Sequence, residues 1–140
     1  MIRHFTTQRQ KLGEHGENTA ANYLKNKNYT IIERNYSTKD GEIDIICIKD
    51  TVLYFIEVKT TSLKHGNVFD SDRYKPEYNV SREKLLKMRT CSETYIYEHN
   101  VSRETRFGAI LIEFDAKTNT SHLRFMRNII IEDQTSESEY

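Results

Sequence analysis

The stretch 42–60, EIDIICIKDTVLYFIEVKT, constrains this chain more than any other part of it. It holds two runs rich in β-branched and aromatic residues, with only Asp50 and Thr51 between them. Two strand-forming runs joined by two residues pair as an antiparallel hairpin. Side chains alternate along a strand, so Tyr54, Ile56 and Val58 face one side, and Phe55, Glu57 and Lys59 the other. Glu57 and Lys59 therefore project together, roughly 6–7 Å apart. Two charges on one face of an otherwise apolar strand cost desolvation energy unless they are paired or wet.

The register of the hairpin brings in a second carboxylate. If Lys49 pairs with Val52, Asp44 stands opposite Glu57, and Glu42 opposite Lys59. Opposed Cβ atoms lie about 4.5–5.5 Å apart, and like charges at that distance destabilise the ladder. A divalent cation relieves the conflict. Hard cations such as Mg²⁺ favour carboxylate oxygens and keep several waters. The Val58 carbonyl, between Glu57 and Lys59, could add a further oxygen. A three-residue turn would instead move Asp44 to the face away from Glu57. A plainer reading stands beside this one: Glu42 and Lys59 form a cross-strand salt bridge on a solvated face, and Asp44 is simply exposed.

Around the hairpin, residues 7–27 read as a helix, with Leu12, Gly16, Ala20 and Leu24 recurring every four residues and Thr6 or Thr7 as cap. Residues 29–34 read as a short strand, 35–41 as a loop, and 81–99 as a second helix capped by Ser81. Residues 106–114 make a buried strand and 121–131 a final one. Residues 61–80 are polar, contain the sole proline, Pro76, and read as a long loop; connections of that length in compact domains are usually functional or disordered. The order is α-β-β-β-α-β-β, an α/β fold with a mixed sheet flanked by helices. One domain over 1–131 is expected, with an acidic, disordered tail at 132–140.

Composition narrows the function. Lys and Arg number 21, as do Asp and Glu, so the net charge is zero. The last nine residues hold four acids and no Lys or Arg, which leaves a body of +4, a mild basic bias. No apolar run approaches the ~18 residues of a membrane span, and no signal peptide is visible. Cys47 and Cys91 lack any CxxC spacing and read as reduced core thiols of a cytoplasmic protein. The five histidines show no paired metal spacing, and no phosphate-cradling glycine loop is present. Arg103, Arg106, Arg124 and Arg127 lie near the last two strands, where phosphate contact and a solvated sheet edge are equally good readings.

Gly13, Gly16 and Glu17, then Asn35, then Gly41-Glu42-Ile43-Asp44, then Phe55-Ile56-Glu57-Val58-Lys59 form an ordered set of motifs. That set resembles the YraN-like bacterial proteins, a family assigned to the restriction-endonuclease-like PD-(D/E)XK superfamily. The resemblance implies an α-β-β-β-α-β core and a nuclease-type site. In it Asp44 and Glu57 match the metal-binding acids, and Lys59 matches the lysine that positions or activates the attacking water. Glu17 matches a helix-borne acid, an outer metal contact. Lys84 matches a basic residue at the start of the second helix, and with Arg82 it is the expected nucleic-acid contact. Plain solvated surface is the alternative there, since Lys87 and Arg89 crowd the same stretch. The chain departs from the family pattern at Thr61, where an arginine is frequent, at Gly108, where Asp is frequent, and in a longer segment between Lys59 and Lys84. Ile43 stands where the superfamily motif has proline.

Together these readings predict a Mg²⁺- or Mn²⁺-dependent endonuclease acting on nucleic acid, DNA in the first instance, and selective for structure rather than sequence. A nucleic-acid-binding or assembly module of the same fold that cuts little or nothing is the alternative. No membrane partner is expected, and the oligomeric state stays open, a homodimer included.

Overall fold

A computed structural model describes residues 8–62 and 80–132. Helix α1, Gln8–Asn26, is followed by β1, Thr30–Thr38, β2, Gly41–Lys49, and β3, Val52–Ser62. Then come α2, Arg82–Glu98, β4, Thr105–Asp115, and β5, Thr120–Ile129. The strands form one sheet in chain order, β1-β2-β3-β4-β5. Every neighbouring pair is antiparallel except β3 and β4, which run parallel and are connected through α2. Of the expected loop at 61–80, Thr61 and Ser62 instead continue β3, and 63–79 lie outside the described residues, as does the expected acidic tail at 132–140 from 133 onward.

The two helices cover opposite faces. Ala20, Ala21 and Leu24 of α1 pack with Ile45, Cys47, Tyr54, Ile56, Val58, Ile110 and Ile112. Met88, Cys91 and Tyr95 of α2 pack with Tyr36, Ile43, Ile46, Leu53 and Phe55. The alternation in β3 thus sends Tyr54, Ile56 and Val58 toward α1, and Phe55 toward α2. Both cysteines are free and buried. Among the described residues no helix is long and apolar enough to cross a membrane.

Local chemistry fixes where the helices stop. Asn28 takes φ 69°, and the Tyr29 N–H donates to Leu24 O at 2.9 Å. Asn100 takes φ 51° after α2, and the Val101 N–H donates to Ile96 O at 3.0 Å. Both are left-handed C-terminal caps in which asparagine serves where glycine is commonest. At the other end of α2, Ser81 accepts a hydrogen bond from Lys84 N at 3.1 Å.

β1 is longer than its sequence suggests. Residues 35–38 read as loop but continue the strand, with Tyr36 opposite Ile43 and Thr38 opposite Gly41. Asn35 adopts φ 54°, a conformation asparagine tolerates, and the buried Tyr36 ring meets Tyr95 edge-on at 5.2 Å. Burial of Tyr36 outweighs the turn preference of its polar neighbours.

Candidate active site

The hairpin of β2 and β3 pairs Lys49 with Val52, and the ladder runs in that register to Ile45 opposite Ile56. There it stops. β2 goes on pairing with β1 to Gly41, and β3 goes on pairing with β4 to Ser62. The sheet therefore forks between β2 and β3, with Asp44 on one branch and Glu57 and Lys59 on the other. The expected direct opposition of Asp44 with Glu57, and of Glu42 with Lys59, is replaced by this opening. Asp44 turns its carboxylate into the fork, and Oδ2 accepts the Val58 N–H at 2.8 Å. A side chain has taken the place of a ladder acceptor, which keeps a buried backbone donor satisfied. Glu42 is exposed and pairs across to Ser37, and among the described residues no ion pair joins it to Lys59.

The fork is buried and acidic. Asp44 is 6% exposed and Glu57 1%. Neither Glu57 oxygen has a hydrogen bond of good geometry. Among the described residues the one counter-charge on it is the Lys84 ammonium, which reaches over from the first turn of α2 to Oε1 as an ion pair. Burial, reinforced by the Asp44 charge, pushes the Glu57 carboxyl up to about 7 even with Lys84 beside it. Burial also raises Asp44, against the lowering pull of the Val58 N–H and of Lys84. For Lys84 itself, burial pulls downward, but Glu57, Asp44 and Glu42 outweigh it and hold the ammonium above its ordinary value. Lys59 is half-buried and, by alternation, leaves β3 on the Glu57 side.

Glu17 comes from α1. That helix lies against β3 so closely that a Cβ on Gly16 would sit 1.8 Å from Thr60 Oγ1 and 2.8 Å from its Cβ. Only glycine permits this approach, and it brings the next residue, Glu17, to the fork. Burial and the nearby Asp44 charge raise the Glu17 carboxyl, and Arg34 and Asn35 draw it down. Arg34 Nη2 lies 3.8 Å from Glu17 Oε2 and donates to Asn18 Oδ1 at 3.0 Å. Arg34 and Asn35 thus hold the helix-borne acid. The sequence offered Asn35 only as a motif residue and Arg34 only as the end of a strand.

Other expected positions fall differently. Lys84 is exposed over about half of its side chain and reaches the acidic cluster at Glu57. Arg82 turns away from the fork and donates to the Glu132 carbonyl. Val58 contributes its N–H to Asp44, so its backbone lines the site. Gly108, where an acid is frequent in the resembled family, has Met126 O 2.9 Å from any added Cβ, so β5 occupies the space a side chain would need. Among the described residues no three His, Cys, Asp or Glu side chains converge as a ready metal cage. Two carboxylates with open oxygens suit a hard cation that keeps most of its waters.

Comparison with known sequences places this arrangement. The model of the uncharacterised protein family UPF0102 matches residues 16–112. The chain belongs to this family. The matched span contains Glu17, Asp44, Glu57, Lys59 and Lys84. A UPF0102 protein of Campylobacter lari is 38% identical over 103 residues, covering 74% of this chain and 84% of its own length. One from Alkaliphilus oremlandii is 34% identical over 118 residues, covering 81% and 95%. One from Campylobacter fetus is 33% identical over 117 residues, covering 84% and 91%.

Proposed function

We propose that this UPF0102 member is a metal-dependent nuclease that hydrolyses phosphodiester bonds in structured DNA. The observation that carries the reading is the Glu57 carboxylate, buried beside Asp44 with the half-exposed Lys84 ammonium as its one counter-charge among the described residues. Such a group is costly unless something binds it. Asp44 and Glu57 would hold Mg²⁺ or Mn²⁺, with the Val58 carbonyl as a further donor and Glu17 as an outer contact. A divalent ion there supplies Lewis-acid polarisation of the phosphate and a lowered water pKa. The chain's own residues do the rest. Lys59, on the Glu57 side of β3, orients the attacking water and neutralises charge that grows on the phosphate oxygens. The water oxygen bonds to phosphorus, the phosphorus–oxygen ester bond breaks, and the leaving oxygen takes up a proton.

A cleft of about 550 Å³ supports a nucleic-acid substrate. It lies on the helix that carries Glu17 and is lined by Gln8, Lys11, Leu12 and His15, with Ser62 and Phe114 at the ends of the parallel strands. The His15 and Phe114 rings are 5.0 Å apart. Cation and aromatic surface together suit a phosphate chain with an unstacked base.

One observation favours a second reading, a nucleic-acid-binding or assembly module that does not cut. Lys84 already supplies Glu57 with a positive charge, so the acids do not strictly require a metal. The two readings part in one experiment. The protein is incubated with Mg²⁺ or Mn²⁺ and a panel of linear, flapped and branched DNAs and RNAs, beside Glu57→Gln. Metal-dependent cleavage of flapped or branched DNA, lost in Glu57→Gln, supports the nuclease. Binding without cleavage by both proteins supports the module. Cutting at one fixed sequence whatever the structure would refute structure selectivity.

A further inference from the structure

Among the described residues Lys84 is the one cation in ion-pair contact with the buried carboxylates, and its partnership with Glu57 is lopsided. The Glu57 side chain is 2% exposed and fixed in the middle of β3. The Lys84 side chain is 52% exposed, on a flexible four-carbon stem. If the pair separates, the ammonium can rehydrate and the carboxylate cannot. The lysine is therefore the member that leaves.

We infer that Lys84 is a displaceable internal counter-ion, which holds the cation position at Glu57 in the metal-free protein and gives it up to a divalent metal. This rests on the metal-dependent reading above and adds a form of regulation to that site. A divalent cation arriving on the Glu57 carboxylate repels the ammonium on Oε1, and in a poorly screened setting that repulsion is large. Metal entry and lysine exit are consequently one exchange. The other cations of this stretch have their own partners: Lys87 pairs with Glu83 at 3.4 Å, and Arg82 and Arg89 donate to the carbonyls of Glu132 and Ile131. The backbone of Lys84 is fixed by the Ser81 cap, so the released side chain stays tethered at the rim of the fork. There, exposed Glu42 attracts it, and so would a phosphate of a bound strand. Metal loading would thus convert a charge that neutralises the protein's own acid into one that holds substrate.

The exchange predicts opposite effects on two binding partners. Lys84→Met should bind Mn²⁺ about tenfold more tightly than wild type in calorimetric titration at pH 8.5, within the range usual for coupled sites. The same variant should bind flapped DNA more weakly when loaded with Ca²⁺, a non-cleaving stand-in. Lys84→Arg, which keeps the charge, should stay near wild type for Mn²⁺. Independently of any variant's folding, wild-type protein carrying ¹³C-methylated lysines should show the Lys84 resonance move on addition of Mg²⁺, and Asp44→Asn protein should not. Equal or weaker Mn²⁺ binding by Lys84→Met, or a stationary Lys84 resonance in metal-bound wild type, overturns the inference and leaves the metal site standing. Absence of Mn²⁺ binding in both wild type and Lys84→Met overturns both. Binding by Lys84→Met alone supports the exchange in its strongest form, a lysine that locks the site.

Discussion

Replacing Glu57 with glutamine should make the metal-free protein more stable, and the gain should grow with pH. The amide keeps the shape and removes the charge. Moving the carboxyl from its ordinary 4.5 to about 7 means the fold disfavours the ionised form by on the order of 3 kcal/mol, at about 1.4 kcal/mol per decade. The sign follows from proton counting. Between about 4.5 and 7 the folded chain holds a proton at Glu57 that the unfolded chain has lost, so stability falls as pH rises through that window. Above it the wild type carries the full cost of a buried carboxylate, which Glu57→Gln escapes. The two proteins should therefore match within roughly 1 kcal/mol at pH 4.5, and the variant should lead by about 3 kcal/mol at pH 8.5, or roughly 10 °C in melting temperature for a domain of this size. Urea denaturation in EDTA at four pH values between 4.5 and 8.5 measures the difference directly. A gap that does not change with pH, or a variant less stable than wild type at pH 8.5, would refute the electrostatic account of the fork.

Asp44 should behave in the opposite way: Asp44→Ala leaves the buried Val58 N–H without its acceptor and should cost about 1–3 kcal/mol in denaturant titrations. Asp44→Asn keeps an acceptor oxygen, so its metal-free stability should equal or exceed wild type, and Mn²⁺ should no longer raise its melting temperature; an unchanged Mn²⁺ response would remove Asp44 from the site. Lys59→Ala should lose cleavage while keeping the Mn²⁺-induced rise, since lysine is not a ligand, and full activity would make Lys59 structural. Gly16→Ala should cost about 1–3 kcal/mol by forcing α1 away from Thr60, and Thr60→Ala in the same chain should restore only part of it, because the Thr60 Cβ is also too close.

Much of the hairpin could be read from the sequence because its signals are local. Alternation assigned the faces of β3, and a two-residue connection fixed the register that the ladder follows from Lys49 opposite Val52 onward. The fork could not be read in this way. It depends on a buried carboxylate replacing a backbone acceptor, and a hydrophobicity pattern carries no trace of that exchange. The continuation of β1 past Asn35 was hidden for a related reason: Asn-Tyr-Ser-Thr has the composition of a turn, and only the meeting of Tyr36 with Tyr95 of α2 makes it strand. Lys84 sat among other basic residues that made it look like surface, and its contact with Glu57 exists only once α2 is laid across the sheet. Arg34 is similar, a strand residue whose partner Glu17 belongs to a different element. Chemistry-bearing residue types were visible in one dimension, but the pairs they form were not.

The hydrogen bond from Val58 to Asp44 has a consequence for how a lineage carrying the proposed chemistry would lose it over time. A lineage that no longer needed the reaction would still be penalised for mutating Asp44 to a residue without an acceptor, because the fold itself depends on it. The same lineage would be rewarded for replacing Glu57, which accepts no such bond and weakens the fold at neutral pH. Selection for stability alone thus protects one carboxylate and erodes the other. A relative with Asp44 and no Glu57 equivalent would be the natural fossil of an abandoned site. In this chain Asp44 could persist as architecture, whereas Glu57 has no such hold on the backbone.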